Sequence, residues 1–263
     1  MTQENEYKWT SRYWHPALTA DAVVFGFDGK DLNILLVQRK EEPFKDCWAL
    51  PGGFMIQEDD NLMATVTREL KEETGVEFKN VPLEEIGCFS ERGRDPREEK
   101  DGERVVTVAF YALVKKSAYE EMVKAGTDAK KAEWFKVEEL QQLSFDHNKI
   151  VEAALKKLRQ KIVFEPIGFE LLDEVFTMPQ LQNIYLSILD PKRENPKLCD
   201  RRNFQNKMLG YTKKSEKQTG KVHYIEQVEV KDNKGKRPVN KYRFNKDAYL
   251  EAKKDSIRIE FYC

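Results

Sequence analysis

The chain has 263 residues, of which 40% are hydrophobic and 35% charged, with a formal net charge of −1. That length suits two domains, and the apolar fraction is enough for packed cores, which excludes disorder on the scale of a domain. No apolar run approaches the roughly 20 residues of a membrane span, and Glu4, Glu6 and Lys8 leave no apolar segment for a secretory leader, so a cytoplasmic protein without a membrane partner is expected.

Asp21–Phe27 and Asn33–Arg39 are β-rich runs around Asp28-Gly29-Lys30 and read as a hairpin, after which Pro51-Gly52-Gly53 breaks the pattern. From Asn61 to Thr74, Leu62, Val66 and Leu70 recur at helical spacing, with Asn61 suited to the N-cap and Gly75 to the stop. Strands at Glu84–Ser90 and Arg104–Val114 enclose a charged loop, and Ala132–Phe135 supplies a shorter one. A helix capped by Asp146 runs to about Gln160 with Ile150, Ala154 and Leu158 inward.

After Glu165-Pro166-Ile167-Gly168 the pattern changes. A short helix carries Leu171, Leu172, Val175 and Phe176, a second is capped by Thr177 and carries Leu181, Ile184, Tyr185 and Ile188, and a third, Arg201–Leu209, is capped by Asp200. Strands at Val222–Val230 and Val239–Phe244 follow, joined by a loop containing Lys234, Lys236 and Arg237. Helices followed by a basic hairpin describe a winged helix-turn-helix, which divides the chain into residues 1–162 and 163–263.

Charge follows the same division. Between Lys192 and Lys246 there are 17 basic and 6 acidic residues, a bias that suits either a polyanion or a solvated basic surface. The cysteines, Cys47, Cys88, Cys199 and Cys263, and the histidines, His15, His147 and His223, are too scattered for a disulfide framework or a zinc site.

Glu69, Glu72 and Glu73 stand at i, i+3 and i+4, within about 100° of arc on one helix side. Like charges at these spacings oppose the helix by roughly 0.2–0.5 kcal/mol per pair. Glu69 and Glu73 also border the apolar stripe of Leu62, Val66 and Leu70. Carboxylates clustered beside a core face suit Mg²⁺, which takes oxygen ligands and coordinates phosphates. The alternative is a charged surface helix with an Arg68–Glu72 ion pair.

Leu50-Pro51-Gly52-Gly53-Phe54 followed by Arg68-Glu69-Leu70-Lys71-Glu72-Glu73-Thr74-Gly75-Val76 resembles the loop-helix signature of the Nudix hydrolase family. The resemblance covers about residues 18–160 and implies an α/β fold, an α/β/α sandwich around a mixed sheet. It implies Mg²⁺ or Mn²⁺ held by Glu69, Glu72 and Glu73, with Arg68 orienting one of them, and attack of water on a phosphoanhydride. Gly52 and Gly53 would contact the substrate, and as glycines they permit close backbone approach between strand and helix. The interval from Gly53 to Arg68 is one residue longer than the family spacing, and Asp59 or Asp60 stands for the usual glutamate.

In Ser90-Glu91-Arg92-Gly93-Arg94-Asp95-Pro96-Arg97 and on to Arg104, arginines can grip phosphate bidentately, or the segment is a solvated charged hairpin. The Arg-Asp-Pro-Arg run resembles that of Nudix proteins handling ADP-ribose, with Arg94, Arg97 and Arg104 then contacting the ligand.

In the third helix, Phe204 and Met208 can face inward while Arg201, Arg202, Gln205 and Asn206 face a DNA groove, with Lys234, Lys236 and Arg237 on the adjacent backbone. A basic protein-interaction domain is the alternative. From about residue 165 the chain resembles the C-terminal part of Nudix-related transcriptional regulators, through Phe176-Thr177, Leu181-Gln182, Asp200-Arg201-Arg202-Asn203-Phe204, Gly235-Lys236-Arg237-Pro238 and Tyr242-Arg243-Phe244. This resemblance implies a homodimer that binds double-stranded DNA and responds to ADP-ribose or a sugar. The sequence leaves three functions open: a regulator that also hydrolyses its ligand, a pure sensor, and a hydrolase whose tail only dimerises.

Overall fold

The computed structural model describes residues 14–78, 81–124, 126, 129–209, 224–228 and 240–254. A mixed seven-stranded sheet is built on β1 (Ala17–Phe27), which pairs antiparallel with β2 (Leu32–Arg39) and β4 (Gly52–Phe54) and parallel with β6 (Val105–Lys115). Strands β3 (Trp48–Ala49), β5 (Glu84–Phe89) and β7 (Ala129–Lys136) complete it. The Asp28 carboxylate closes the β1–β2 turn by accepting the N–H groups of Lys30 (2.9 Å) and Asp31 (2.7 Å).

Ala20 to Phe27 is buried without a break because both sheet faces are covered and successive side chains point to opposite faces. Ala20, Ala22 and Val24 pack with Val66 and Leu70 of α1 (Leu62–Thr74). Val23, Phe25 and Phe27 pack instead, on the other face, with Ile150, Ala154 and Leu158 of the long helix His147–Phe164. Counting the short α2 (Arg97–Asp101) inside the charged loop, that long helix is α3. Asn61 caps α1 by accepting from Ala64 N–H (3.0 Å), and Gly75 ends it at φ 71°, where a Cβ would be strained.

Three expectations need correction. Asp146 precedes α3 but makes no side-chain cap bond, because its carboxylate is engaged by Arg94. The charged loop is not wholly irregular, since it contains α2. The short helix expected through Phe176 is instead a 3-10 turn over Pro166–Leu171, and Phe176 forms a backbone bridge with Tyr242. Pro166 at the start of that turn fixes φ but lacks the N–H that a longer helix would use.

The C-terminal region has α4 (Met178–Leu189), the one-turn α5 (Pro196–Cys199), α6 (201–209), strands β8 (Ile225–Val228) and β9 (Lys241–Phe244), and α7 (Lys246–Lys254). Thr177 and Gln180 cap α4 reciprocally, and the Asp200 carboxylate accepts Asn203 N–H (2.6 Å) at the start of α6. Helix α7, which periodicity did not reveal, starts where Asn245 accepts Ala248 N–H (2.9 Å). The expected hairpin loop with Lys234, Lys236 and Arg237 lies outside the described residues. No helix among them is long and apolar enough to cross a membrane.

One buried cluster runs from Val23, Phe25 and Ile34 through Leu158 and Ile162 to Ile184, Tyr185, Phe204 and Tyr242. Residues 162 and 163 both lie inside α3, so that helix belongs to both halves of the core. Leu158→Ala is expected to destabilise by about 2–5 kcal/mol, as for a deleted core leucine, with sheet and C-terminal helices melting in one transition. Denaturant unfolding followed by tryptophan fluorescence and by far-ultraviolet circular dichroism measures both.

Candidate active site and nucleic-acid interface

Antiparallel pairing of Gly52 and Gly53 with Asp21 and Ala20 draws the loop tight against β1. A Cβ on Gly52 would overlap the Ala20 carbonyl oxygen and the Asp21 carboxylate, and one on Gly53 would overlap the Glu69 carboxylate. Glycine is required at position 52, where the neighbour is backbone, whereas a side chain at position 53 would displace the Glu69 carboxylate. Gly52 N–H donates to Glu73 Oε2 (2.8 Å), so the turn holds one glutamate by a hydrogen bond and borders the other.

Behind this pair Arg68 is the hub. Its Nη1 donates to Glu69 Oε1 (2.8 Å) and Glu72 Oε2 (2.9 Å), and its Nη2 to the Phe54 carbonyl (2.9 Å). Asp59 takes the remaining edge through Nε (3.1 Å) and Nη2 (2.9 Å), and Thr65 Oγ1 also donates to it (2.9 Å). The Arg68 hydrogen bond holds the Asp59 carboxyl well below the usual carboxylate range. Asp59 therefore anchors the arginine that orients Glu69, a role the altered loop spacing did not reveal.

Glu69 and Glu73 line a cavity of about 340 Å³ together with Asp21, Arg39, Arg97 and His147. Burial pushes the Glu73 carboxyl up to about 8, opposed by the Gly52 hydrogen bond and reinforced by the charges of Glu69 and Asp21. Glu72 does not line this cavity: its carboxylate, 39% exposed, shares Arg68 Nη1 with that of Glu69 beside it. Among the described residues no three His, Cys, Asp or Glu side chains converge as a ready-made metal cage. The structure thus brings together two of the three expected metal ligands.

The arginine-rich loop also departs from expectation. Arg94 is buried, its Nε and Nη2 donating to Asp146 Oδ2 (3.1 Å) and Oδ1 (2.8 Å), with Asp21 at 4.0 Å. It forms the cavity wall but its fork is already filled. Arg97 lines the cavity with its own fork on Asp95 (2.9 and 2.5 Å) and its guanidinium 4.9 Å from the Phe54 ring. Arg104 lies outside, donating to the Ser90 carbonyl (2.7 Å) and sharing a separate hollow with Trp14 and Glu98.

Two residues that the motif reading missed face the cavity. Arg39, at the end of β2, donates through Nε to the Pro43 carbonyl (2.8 Å) and lies 4.8 Å from the Phe145 ring; among the described residues it has no carboxylate at ion-pair distance. His147 is buried and accepts Leu50 N–H at Nδ1 (2.9 Å), which puts its proton on Nε2, and burial lowers its pKa so that it is neutral. Its burial at the start of α3 was unreadable because the cavity wall is assembled from segments far apart in the chain.

On α6, Phe204 and Met208 are buried while Arg201, Arg202 and Asn206 are exposed, as the spacing requires. Gln205 is the exception: half-buried, it donates to Tyr242 Oη (3.2 Å) and braces α6 against β9. Stacking of Phe169 on Phe244 (4.3 Å, 14°) secures the same strand from the other side.

With side-chain exposures of 5% and 9%, Arg94 and Asp146 form a desolvated pair. Asp146→Ala, which leaves the guanidinium with Asp21 at 4.0 Å as its remaining carboxylate, is expected to destabilise by about 3–5 kcal/mol, whereas breaking an exposed pair such as Lys130–Asp46 is expected to leave stability nearly unchanged. Urea denaturation of the single variants Asp146→Ala and Lys130→Ala gives the comparison.

The family description "NUDIX domain" matches residues 15–156 and "NrtR DNA-binding winged helix domain" matches residues 168–244. The chain is 33% identical over 237 residues to an ADPR responsive transcriptional repressor, NtrR, of Acinetobacter baylyi, covering 89% of this chain and 84% of that protein. It is 41% identical over 140 residues to an ADP-ribose pyrophosphatase of Methanocaldococcus jannaschii, covering 53% of this chain and 73% of the relative. Among solved structures it resembles Shewanella oneidensis NrtR complexed with a 27mer DNA, at a TM-score of 0.62 and 28% identity, over 89% of this chain and 95% of that one. The glycine turn, the Arg68-centred helix and the helix-and-wing region that follows place the chain in the Nudix family, among its members that carry an NrtR-type winged helix.

Proposed function

We propose that this chain is an ADP-ribose-responsive, DNA-binding transcriptional regulator whose Nudix cavity also hydrolyses its ligand. The carrying observation is that Glu69 and Glu73 flank the Gly52–Gly53 turn on a cavity wall in a chain that also exposes Arg201 and Arg202 on α6. The named relatives support both halves of the reading, one as an ADPR-responsive repressor and one as an ADP-ribose pyrophosphatase. Residues 1–162 then serve as the ligand-sensing unit and residues 163–263 as the DNA reader. We propose a homodimer, working in the cytoplasm beside the genome.

The donor set suits Mg²⁺ or Mn²⁺: two carboxylates, one raised by burial and like charge, would be relieved by a divalent cation. Glu69 and Glu73 would hold it, with Glu72 available from the Arg68 side. When bound, such an ion neutralises charge on the phosphoanhydride. The chain's own residues do the rest. Arg68 fixes the Glu69 carboxylate, Arg39 offers an uncommitted guanidinium to a phosphate, and Nε2–H of His147 is a hydrogen-bond donor at the wall.

A second reading, a sensor without turnover, is favoured by one observation: Glu72 is paired with Arg68 and does not line the cavity. Incubating the protein with ADP-ribose and Mg²⁺, and quantifying AMP and ribose phosphate, separates the two. Glu73→Gln is expected to reduce hydrolysis by at least about 100-fold, beyond the loss typical of an outer-shell partner. No product from wild type would leave the sensor; full activity in Glu73→Gln would remove Glu73 from the metal assignment.

Ligand and DNA should also oppose each other. With Ca²⁺ in place of Mg²⁺, saturating ADP-ribose is expected to weaken operator binding by roughly 5- to 150-fold, and operator DNA to weaken ADP-ribose binding by the same factor. Calorimetry in both directions checks this, and equal affinities in all four titrations would rule ADP-ribose out as effector.

A further inference from the structure

The turn entering α5 is folded by one aspartate. Asp190 accepts the N–H groups of Glu194 (3.0 Å) and Asn195 (2.8 Å) on its carboxylate and that of Arg193 (2.9 Å) on its carbonyl. Arg193 sits at φ 58°, a conformation glycine enters freely and a residue with a Cβ does not. Its carbonyl accepts the Cys199 thiol (3.3 Å), which ties the turn to α5. The position thus keeps a guanidinium where the backbone favours glycine.

Around it, Lys192, Arg193, Lys197, Arg201 and Arg202 are all exposed, and among the described residues none has a carboxylate at ion-pair distance. In the Nudix half Arg68, Arg94 and Arg97 each have a carboxylate, whereas Arg39 does not. Asp200 alone separates α5 from α6, and Asn203 Nδ2 donates to the Lys197 carbonyl (2.8 Å), so the turn and the start of α6 form one unit.

We propose that Arg193, flanked by Lys192 and Lys197, is a phosphodiester-binding corner that grips the DNA backbone beside the groove entered by α6. The inference rests on the DNA-binding reading above. Continuity with Arg201 and Arg202 selects DNA over an acidic protein surface, because a helix start docked in the groove brings its preceding turn to the flanking phosphates. Such a contact positions the protein without reading sequence.

Arg193→Gly is the decisive variant, since it removes the cation while relaxing the backbone. It should unfold at the wild-type temperature or higher. Its plot of log Kobs against log salt should be shallower by about 0.9, so that its deficit is roughly 3.5-fold greater at 50 mM than at 200 mM salt. The weakening should be equal on a duplex selected by the wild type and on its scrambled counterpart, and Arg193→Lys should restore the slope. A wild-type slope and affinity in Arg193→Gly, or a loss confined to the selected duplex, would overturn the proposal. Absence of any wild-type DNA binding at low salt would instead overturn the regulator reading, and this corner with it.

Discussion

The Gly52–Gly53 turn occupies a gap that has no room for a side chain, and the geometry of the ligand cavity depends on that gap. One side of the turn is paired with β1, and Pro51 extends the contact by accepting Ala22 N–H (2.8 Å). The other side meets Glu69 and Glu73 of α1. Strand and turn are thus joined by backbone pairing and turn and helix by the glutamate side chains, so the two carboxylates face the same space. Arg68 completes the arrangement from behind, drawing the Asp59 loop, the Phe54 carbonyl and Glu72 onto one guanidinium.

A second principle governs the cations. A buried ion pair gives little net stability over an apolar replacement, but losing one member is severe. Arg94 and Asp146 therefore act as a structural tie between the loop after β5 and the first turn of α3, and Arg97 with Asp95 stiffens the same loop. Their donors are satisfied within the protein. Arg39 lacks such a partner and is left as the cation best placed to meet an incoming anion, while among the described residues Arg201 and Arg202 of α6, and Lys192, Arg193 and Lys197 before it, likewise have no carboxylate at ion-pair distance.

The shared core explains how these two surfaces can communicate. The start of α3 carries His147 at the cavity, and the later turns of the same helix pack Leu158 and Ile162 into the cluster that holds α4 and Phe204. A displacement at the cavity wall would therefore bear on a helix whose far end packs against the C-terminal region. A packed interior has few intermediate arrangements, so small movements at one end are resisted or transmitted rather than absorbed.

The sequence by itself determined the elements whose signals are local. The glycine turn, α1 with its Asn61 cap and Gly75 stop, the capping box at Thr177 and the inward Phe204 and Met208 all follow from spacing and short-range chemistry. The same holds for Glu69 as a residue beside the core, because 3.6-residue periodicity places it there. What only the tertiary structure decided were partnerships across long separations: Arg94 with Asp146, Gln205 with Tyr242, and His147 with Leu50. Residue type shows that an arginine or glutamate can bind a ligand, but whether its donors or acceptors are already occupied depends on which distant segment folding brings beside it.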